Sequence, residues 1–212
     1  MKKALAVAVL TLVSVASHGS TIFSDDFDAN VFAGNPFGYN MTPVGWSVTN
    51  GTVDVIPANQ SAYYGCSSTC IDLDGTSGDA GILSKALGLT AGVTYTASFE
   101  LAGNHRGQPT PSANPNWAFD TGTITFGTQS LNYSLPAFAG FSFYQLAFTP
   151  AVSGIYSLNF SNHGGDNVGA MLDNVSVNAV SSVPEPETYA LLLVGLGLMC
   201  SVVRRRKAQQ AV

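Results

Sequence analysis

A chain of 212 residues is long enough for one sizeable domain or two small ones once exported ends are set aside. Its formal charge is −5, but six of its eight cations (Lys2, Lys3, Arg204, Arg205, Arg206 and Lys207) lie at the ends, leaving Lys85 and Arg106 against eleven Asp and Glu in the body. A body of about −9 repels phosphate backbones, which argues against a nucleic-acid partner, and its Gly- and Asn-rich composition suits a secreted β-protein better than a cytosolic enzyme.

Residues 1–19 read as a signal peptide. Lys2 and Lys3 form the charged start, and Ala4 to Val15 is an apolar run. Ser14 with Ala16, or Ser17 with Gly19, then supplies the small residues a signal peptidase requires. The apolar run is too short to span a bilayer.

Residues 20–180 follow as one expected domain. Short alternating runs are bounded by Gly, Pro, Asn and Asp, and no segment reads as a convincing helix. In "VTYTASFELAG", Val93, Tyr95, Ala97, Phe99 and Leu101 share one face and Thr94, Thr96, Ser98 and Glu100 the other. "TVDVI", "TITF", "FSFYQLAFTP" and "GIYSLNF" behave similarly. Many short strands at this spacing predict an all-β sandwich, each strand burying one face. In "GAMLDNVSVN" the apolar phase changes between Ala170, Leu172 and Val175, Val177. A β-bulge at Asp173-Asn174 restores both pairs to one core, and a strand end is the alternative.

Cys66 and Cys70 enclose three small polar residues, and export favours a local disulfide over two free thiols. After the body, Thr188 to Val203 runs 16 residues without a charge. As a helix it is about 24 Å long, slightly short of a bilayer core, and snorkelling arginine stems would close the gap. The expected transmembrane helix is 188–203, within a terminal segment of 181–212. The cluster Arg204 to Lys207 stays cytoplasmic by the positive-inside rule, which places the body outside.

The order of Pro184-Glu185-Pro186, apolar segment and Arg204, Arg205, Arg206, Lys207 resembles the PEP-CTERM sorting signal of Gram-negative bacteria. The resemblance implies an inner-membrane-anchored precursor, recognition by an exosortase-type protease, and removal of the tail. Delivery to the cell surface, outer envelope or extracellular matrix would follow. Proline on both sides of Glu185 keeps the segment extended and accessible.

In the body, "GWSVTNGTVDVI", "CIDLDGTSG", "GLTAGVTYTASFELAGN" and "GAMLDNVSV" resemble the exported DUF642 and choice-of-anchor domains. These have a galactose-binding-like jelly-roll fold related to carbohydrate-binding modules. Where that family often opens with Asn-Gly-x-Phe-Glu, this chain has "SDDFD", with Asp28 in the acidic position, and its loop "NHRGQPTPSANPN" is unusual. The resemblance implies a structural Ca²⁺ tying the first strand to the last through Asp28 and Asp173. A hard cation of this kind takes carboxylate and carbonyl oxygens. Asp72, Asp74 and Asp79 form another acidic group, without the full spacing of an EF-hand loop.

Sugar rings stack on flat aromatics while polar groups bind their hydroxyls. Tyr39, Tyr63, Tyr64 and Trp117 lie in or beside predicted loops and are the candidate ligand-binding residues, whereas Trp46 falls in a strand-like run and reads as core. His105 and His163 have no nucleophile motif around them, so no catalytic residues are assigned. The leading expectation is a non-catalytic domain that associates with an exopolysaccharide or other glycan. A structural matrix or adhesion protein without specific sugar binding is the alternative, and a surface glycoside hydrolase is a weaker third.

Overall fold

The alternation in 93–101 marks the strand around which the first sheet assembles. In the computed structural model, which describes residues 19–106, 118–180 and 186–209, this strand is β6 (Thr94–Ala102). Tyr95, Ala97, Phe99 and Leu101 are buried, as the period-two pattern requires. The expected signal peptide, apart from Gly19, and residues Trp117, Pro184 and Glu185 lie outside the described residues.

Sheet one contains β1 (Ser20–Asp25), β3 (Asp54–Ile56), β4 (Cys70–Asp72), β6, β9 (Ser142–Phe148) and β11 (Met171–Val180). Its order is β3-β4-β11-β6-β9, and β1 also pairs with β11. One edge of β11 meets β4 at Met171 and Leu172 and β1 from Val175 to Ala179, while its other edge meets β6. The register against β6 shifts between Asp173 and Ser176, and Asn174 has a φ of 52°. This bulge brings Leu172, Val175 and Val177 into one core despite their phase break.

Sheet two has the order β2-β5-β10-β7-β8. Its strands are β2 (Ser47–Thr49), β5 (Ile82–Leu89), β7 (Phe119–Phe126), β8 (Gln129–Pro136) and β10 (Gly154–Asn162). All strand pairings in both sheets are antiparallel. The result is a jelly-roll β-sandwich, the expected fold class. Phe99 of sheet one meets Phe160 of sheet two edge to face, with ring centroids 5.1 Å apart. Trp46 lies 6.1 Å from Phe160 and 5.7 Å from Phe27, in the core position its strand-like setting suggests, and its indole N–H donates to Asp25 Oδ2 at 2.8 Å. Burying such a ring contributes roughly 1.5–3 kcal/mol.

The body also contains one helical turn, α1 (Ser61–Tyr64), where the sequence predicts no helix. A single turn is too short to show a 3.6-residue period. Gly65 ends it at a φ of 90°, and a Cβ there would come within 2.7 Å of the His105 ring. This turn covers a small apolar cluster of Ile56, Tyr64, Cys66, Cys70, Ala102 and Met171, separate from the main core.

The compact unit is Gly19–Val180. Beyond it, α2 (Pro186–Gln209) is a helix that opens on proline, a favoured first residue, and includes the segment Arg204 to Lys207. Leu191, Leu193, Leu196 and Leu198 are among its exposed apolar residues. Among the described residues no helix is long and apolar enough to cross a membrane. The helix expected at 188–203 is therefore present, while the transmembrane crossing expected of it is not shown by the structure.

Candidate functional site

The turn α1 carries Tyr63 and Tyr64, and Tyr39, from the segment between β1 and β2, meets Tyr64, so three of the four sequence-predicted aromatics come together. Cys66 and Cys70 form a disulfide with Cα atoms 6.4 Å apart, closing the segment between turn and strand. Tyr64 points into the small cluster and is buried, while Tyr63 stands edge-on to it at 5.3 Å and is 68% exposed. The Tyr39 phenol faces that of Tyr64, and burial followed by this contact pushes the Tyr64 phenol well above its ordinary pKa. Tyr39 is itself exposed and stacks on Phe37, with centroids 5.5 Å apart and planes 16° from parallel. The sequence singles out neither Phe37 nor the neighbouring pair of His105 and Phe138, which stack at 5.2 Å.

Beneath these rings lies a buried polar layer. The Arg106 guanidinium sits 4.7 Å from the centre of the Tyr64 ring and donates to Asp72 Oδ2 and the Asn167 carbonyl, each at 2.5 Å. Asp72 is fully buried. Its Oδ1 accepts the amides of Asp74 and Gly169 at 3.0 and 2.9 Å, and its Oδ2 also accepts Asn104 Nδ2 at 2.8 Å. Burial raises the proton affinity of Asp72, and Arg106 opposes that rise. With four donors converging on it, the carboxyl has the geometry of an ionised partner in a buried ion pair. Asp120, on β7, accepts the Asn104 amide at 2.9 Å, and burial pushes its carboxyl up to about 7.

The acidic group Asp72, Asp74 and Asp79 does not converge on one point, because Asp72 and Asp74 are buried while Asp79 is exposed at the far end of the turn. Asp54, buried beside this turn, accepts Asn40 N, Thr76 N and Thr76 Oγ1, and so ties the loops down.

Asp28 and Asp173 converge on a different segment. Asp28 Oδ1 accepts the Thr69 amide at 3.1 Å, and Asp173 Oδ2 accepts the Ser68 hydroxyl at 3.2 Å. Asp173 Oδ1 takes the Asn174 amide within the bulge at 2.7 Å. Burial pushes the Asp173 carboxyl up to about 6, with Asp28 and Glu100 adding to the rise. A cleft of about 400 Å³ lined by Ser24, Asp25, Asp26, Ala29 and Asn174 to Ser176 opens where β1 meets the same bulge. Among the described residues, no group of three or more His, Cys, Asp or Glu gathers as a metal cluster. Around Asp28 and Asp173 stand one hydroxyl and two backbone N–H groups, each donating to them.

The site belongs to a jelly-roll sandwich that presents aromatic rings beside a polar, mostly acidic layer. Residues 182–207 match the PEP-CTERM protein-sorting motif, and the chain carries that motif at its C-terminal end. Among curated proteins none matches the chain in sequence. Among solved structures, the CBM22-1–GH10 modules of an endo-1,4-β-D-xylanase 10B from Clostridium thermocellum, complexed with xylohexaose, are 12% identical with a TM-score of 0.49. They cover 78% of this chain, which spans only 30% of theirs. The CBM22-1 xylan-binding domain from Paenibacillus barcinonensis is 15% identical, covers 80% of this chain and 100% of its own, and has a TM-score of 0.49. The K1 cleaved adhesin domain of Lys-gingipain from Porphyromonas gingivalis W83 is 14% identical, covers 77% and 100%, and has a TM-score of 0.48.

Proposed function

We propose that this is an exported surface or matrix protein, sorted through its C-terminal motif by an exosortase-type protease, whose sandwich binds glycan without chemically altering it. Before processing, the α2 segment would hold the precursor at the inner membrane, with Pro184, Glu185, Pro186 and Arg204 to Lys207 as the signal. The observation that supports glycan binding is the meeting of Tyr39, Tyr63 and Tyr64 at one place, with Tyr39 and Tyr63 exposed. Flat apolar faces flanked by polar donors are the chemistry that sugar rings require.

Affinity electrophoresis of the 19–180 unit through a panel of surface polysaccharides tests the reading. Tyr63→Ala and Tyr39→Ala should each weaken retardation about tenfold, the loss of roughly 1.4 kcal/mol, with little change in stability. Retardation of no polysaccharide would leave a structural or adhesive role. Release of shorter sugars during the assay would mean a hydrolase.

Asp28 and Asp173 fit a structural Ca²⁺ in this scheme. The Ser68 hydroxyl on Asp173 is an oxygen that a hard cation would share, and the Asp28 charge that helps raise the proton affinity of Asp173 is a repulsion that a bound cation would relieve. Bound there, the ion would supply that charge and tie the segment after β1 to β11.

A further inference from the structure

Asp74 presents a different problem from Asp72. It is fully buried, yet neither of its carboxylate oxygens has a hydrogen-bond partner. Asp166, in the loop between β10 and β11, faces it: Oδ1 accepts the Val168 amide at 3.0 Å, while the buried Oδ2 has no partner. After burial, the Asp166 charge is the largest influence raising the proton affinity of Asp74. The amides of Gly165, Asp166 and Asn167 partly offset that rise, but none closes a hydrogen bond to Asp74. The loop rests directly on the carboxylate, since a Cβ at Gly164 would come within 3.0 Å of Asp74 Oδ2 and 2.4 Å of Ala80 Cβ.

No cation of the body is free to compensate. Arg106 is engaged by Asp72 and the Asn167 carbonyl, and Lys85 donates to the Gly45 carbonyl at 2.7 Å. Asp120 adds a further carboxyl to the same neighbourhood, and both Asp74 and Asp166 act on it. An uncompensated buried carboxylate is strongly unfavourable and is relieved either by a proton or by a counter-charge from solution. With two carboxylates facing each other and three of their oxygens orphaned, one cation relieves both at once. Carboxylate oxygens orphaned in pairs, without nitrogen or sulfur ligands, suit a hard cation that accepts carbonyl and water oxygens to complete its shell.

We infer that Asp74 and Asp166 bind a divalent cation of the calcium class, pinning the β10–β11 loop to the segment that follows β4. The site is separate from Asp28 and Asp173 and does not depend on glycan binding.

The test uses the full chain in detergent carrying Asp173→Asn, so that the other carboxylate pair does not contribute. Calcium alone is titrated calorimetrically, and thermal unfolding is followed in calcium and in chelator. In this background calcium should raise the melting temperature by several degrees. Adding Asp166→Asn should weaken calcium binding at least tenfold. The same change should raise melting in chelator, because it removes a repulsion. Asp74→Asn should act in the same direction, and if it does not fold, Asp166→Asn decides alone. Calcium affinity that is undiminished by Asp166→Asn, or a parent with no calcium response, would overturn the site.

Discussion

The interior of the sandwich and the polar layer beneath its loops are equally buried and are held by opposite means. Phe99, Phe126, Leu158 and Phe160 are fully buried between the sheets and gain by excluding water from contacts such as the Phe99–Phe160 ring pair. Asp72, Asp74, Asn104 and Asp120 are as deeply buried, but each depends on particular partners: Arg106 for Asp72, the Asn104 amide for Asp120, and no protein group for Asp74. Apolar packing changes little with pH or ions. The polar layer does, so the two regions should separate under conditions that leave the rest of the molecule alone.

The largest effect should come from the apolar side. Phe160→Ala opens a cavity between the sheets and should cost about 4 kcal/mol, read from the denaturant midpoint, with the pH profile of stability unchanged. A loss below about 1 kcal/mol would mean that the inter-sheet ring contacts are not what joins the layers.

The next effect belongs to the polar layer, and its sign is opposite. The Asp120 carboxyl is pushed up to about 7 in the fold, whereas an unfolded chain has about 3.9. A folded carboxyl raised in this way contributes stability that is present below about pH 4 and is lost as pH rises through about 7. Asp120→Asn keeps an acceptor for the Asn104 amide and removes the titration. Metal-free protein carrying it should gain as much as ~4 kcal/mol at pH 8 relative to its parent, and should match the parent at pH 4. Urea unfolding at the two pH values measures this, and parallel curves for parent and variant would remove Asp120 as the origin of the slope.

The smallest effect lies between the two regions. Replacing Cys66 and Cys70 by Ser opens a very short loop and should cost about 2 kcal/mol or less. The damage should centre on the turn that carries Tyr63 and Tyr64. Hydrogen exchange that increases evenly across both sheets would contradict that local role.

What the sequence conveyed follows the same division. A strand that buries one face announces itself by alternation, as β6 does, and even the bulge in β11 is visible as a phase break between Leu172 and Val175. β8 carries the same signal at Leu131, Tyr133 and Leu135. β5 is harder to read because Lys85 occupies an inward phase, its ammonium 4.4 Å from the centre of the Phe23 ring. The polar layer leaves no such trace. Arg106 meets Asp72, and Asp166 meets Asp74, only after strands from both sheets bring distant loops together. The aromatic candidates were legible as loop residues, but Phe37 became visible only through its stack on Tyr39. The sorting motif was legible because it is read along the chain and needs no fold.

The position of β11 has a kinetic consequence. It lies between β4 and β6, and the first strand, β1, also pairs with it. Sheet one therefore cannot close until the last ten residues of the sandwich are available, because its earliest strand must find its partner across nearly the whole domain. Such distant pairing makes for slow folding. A nascent chain stays open until residue 180 has emerged, and the sorting motif begins only two residues later, at 182. The strand that completes the sheet and the sorting motif are thus almost contiguous in the chain. A chain stopped before Met171 would lack both the completed sheet and the matched motif.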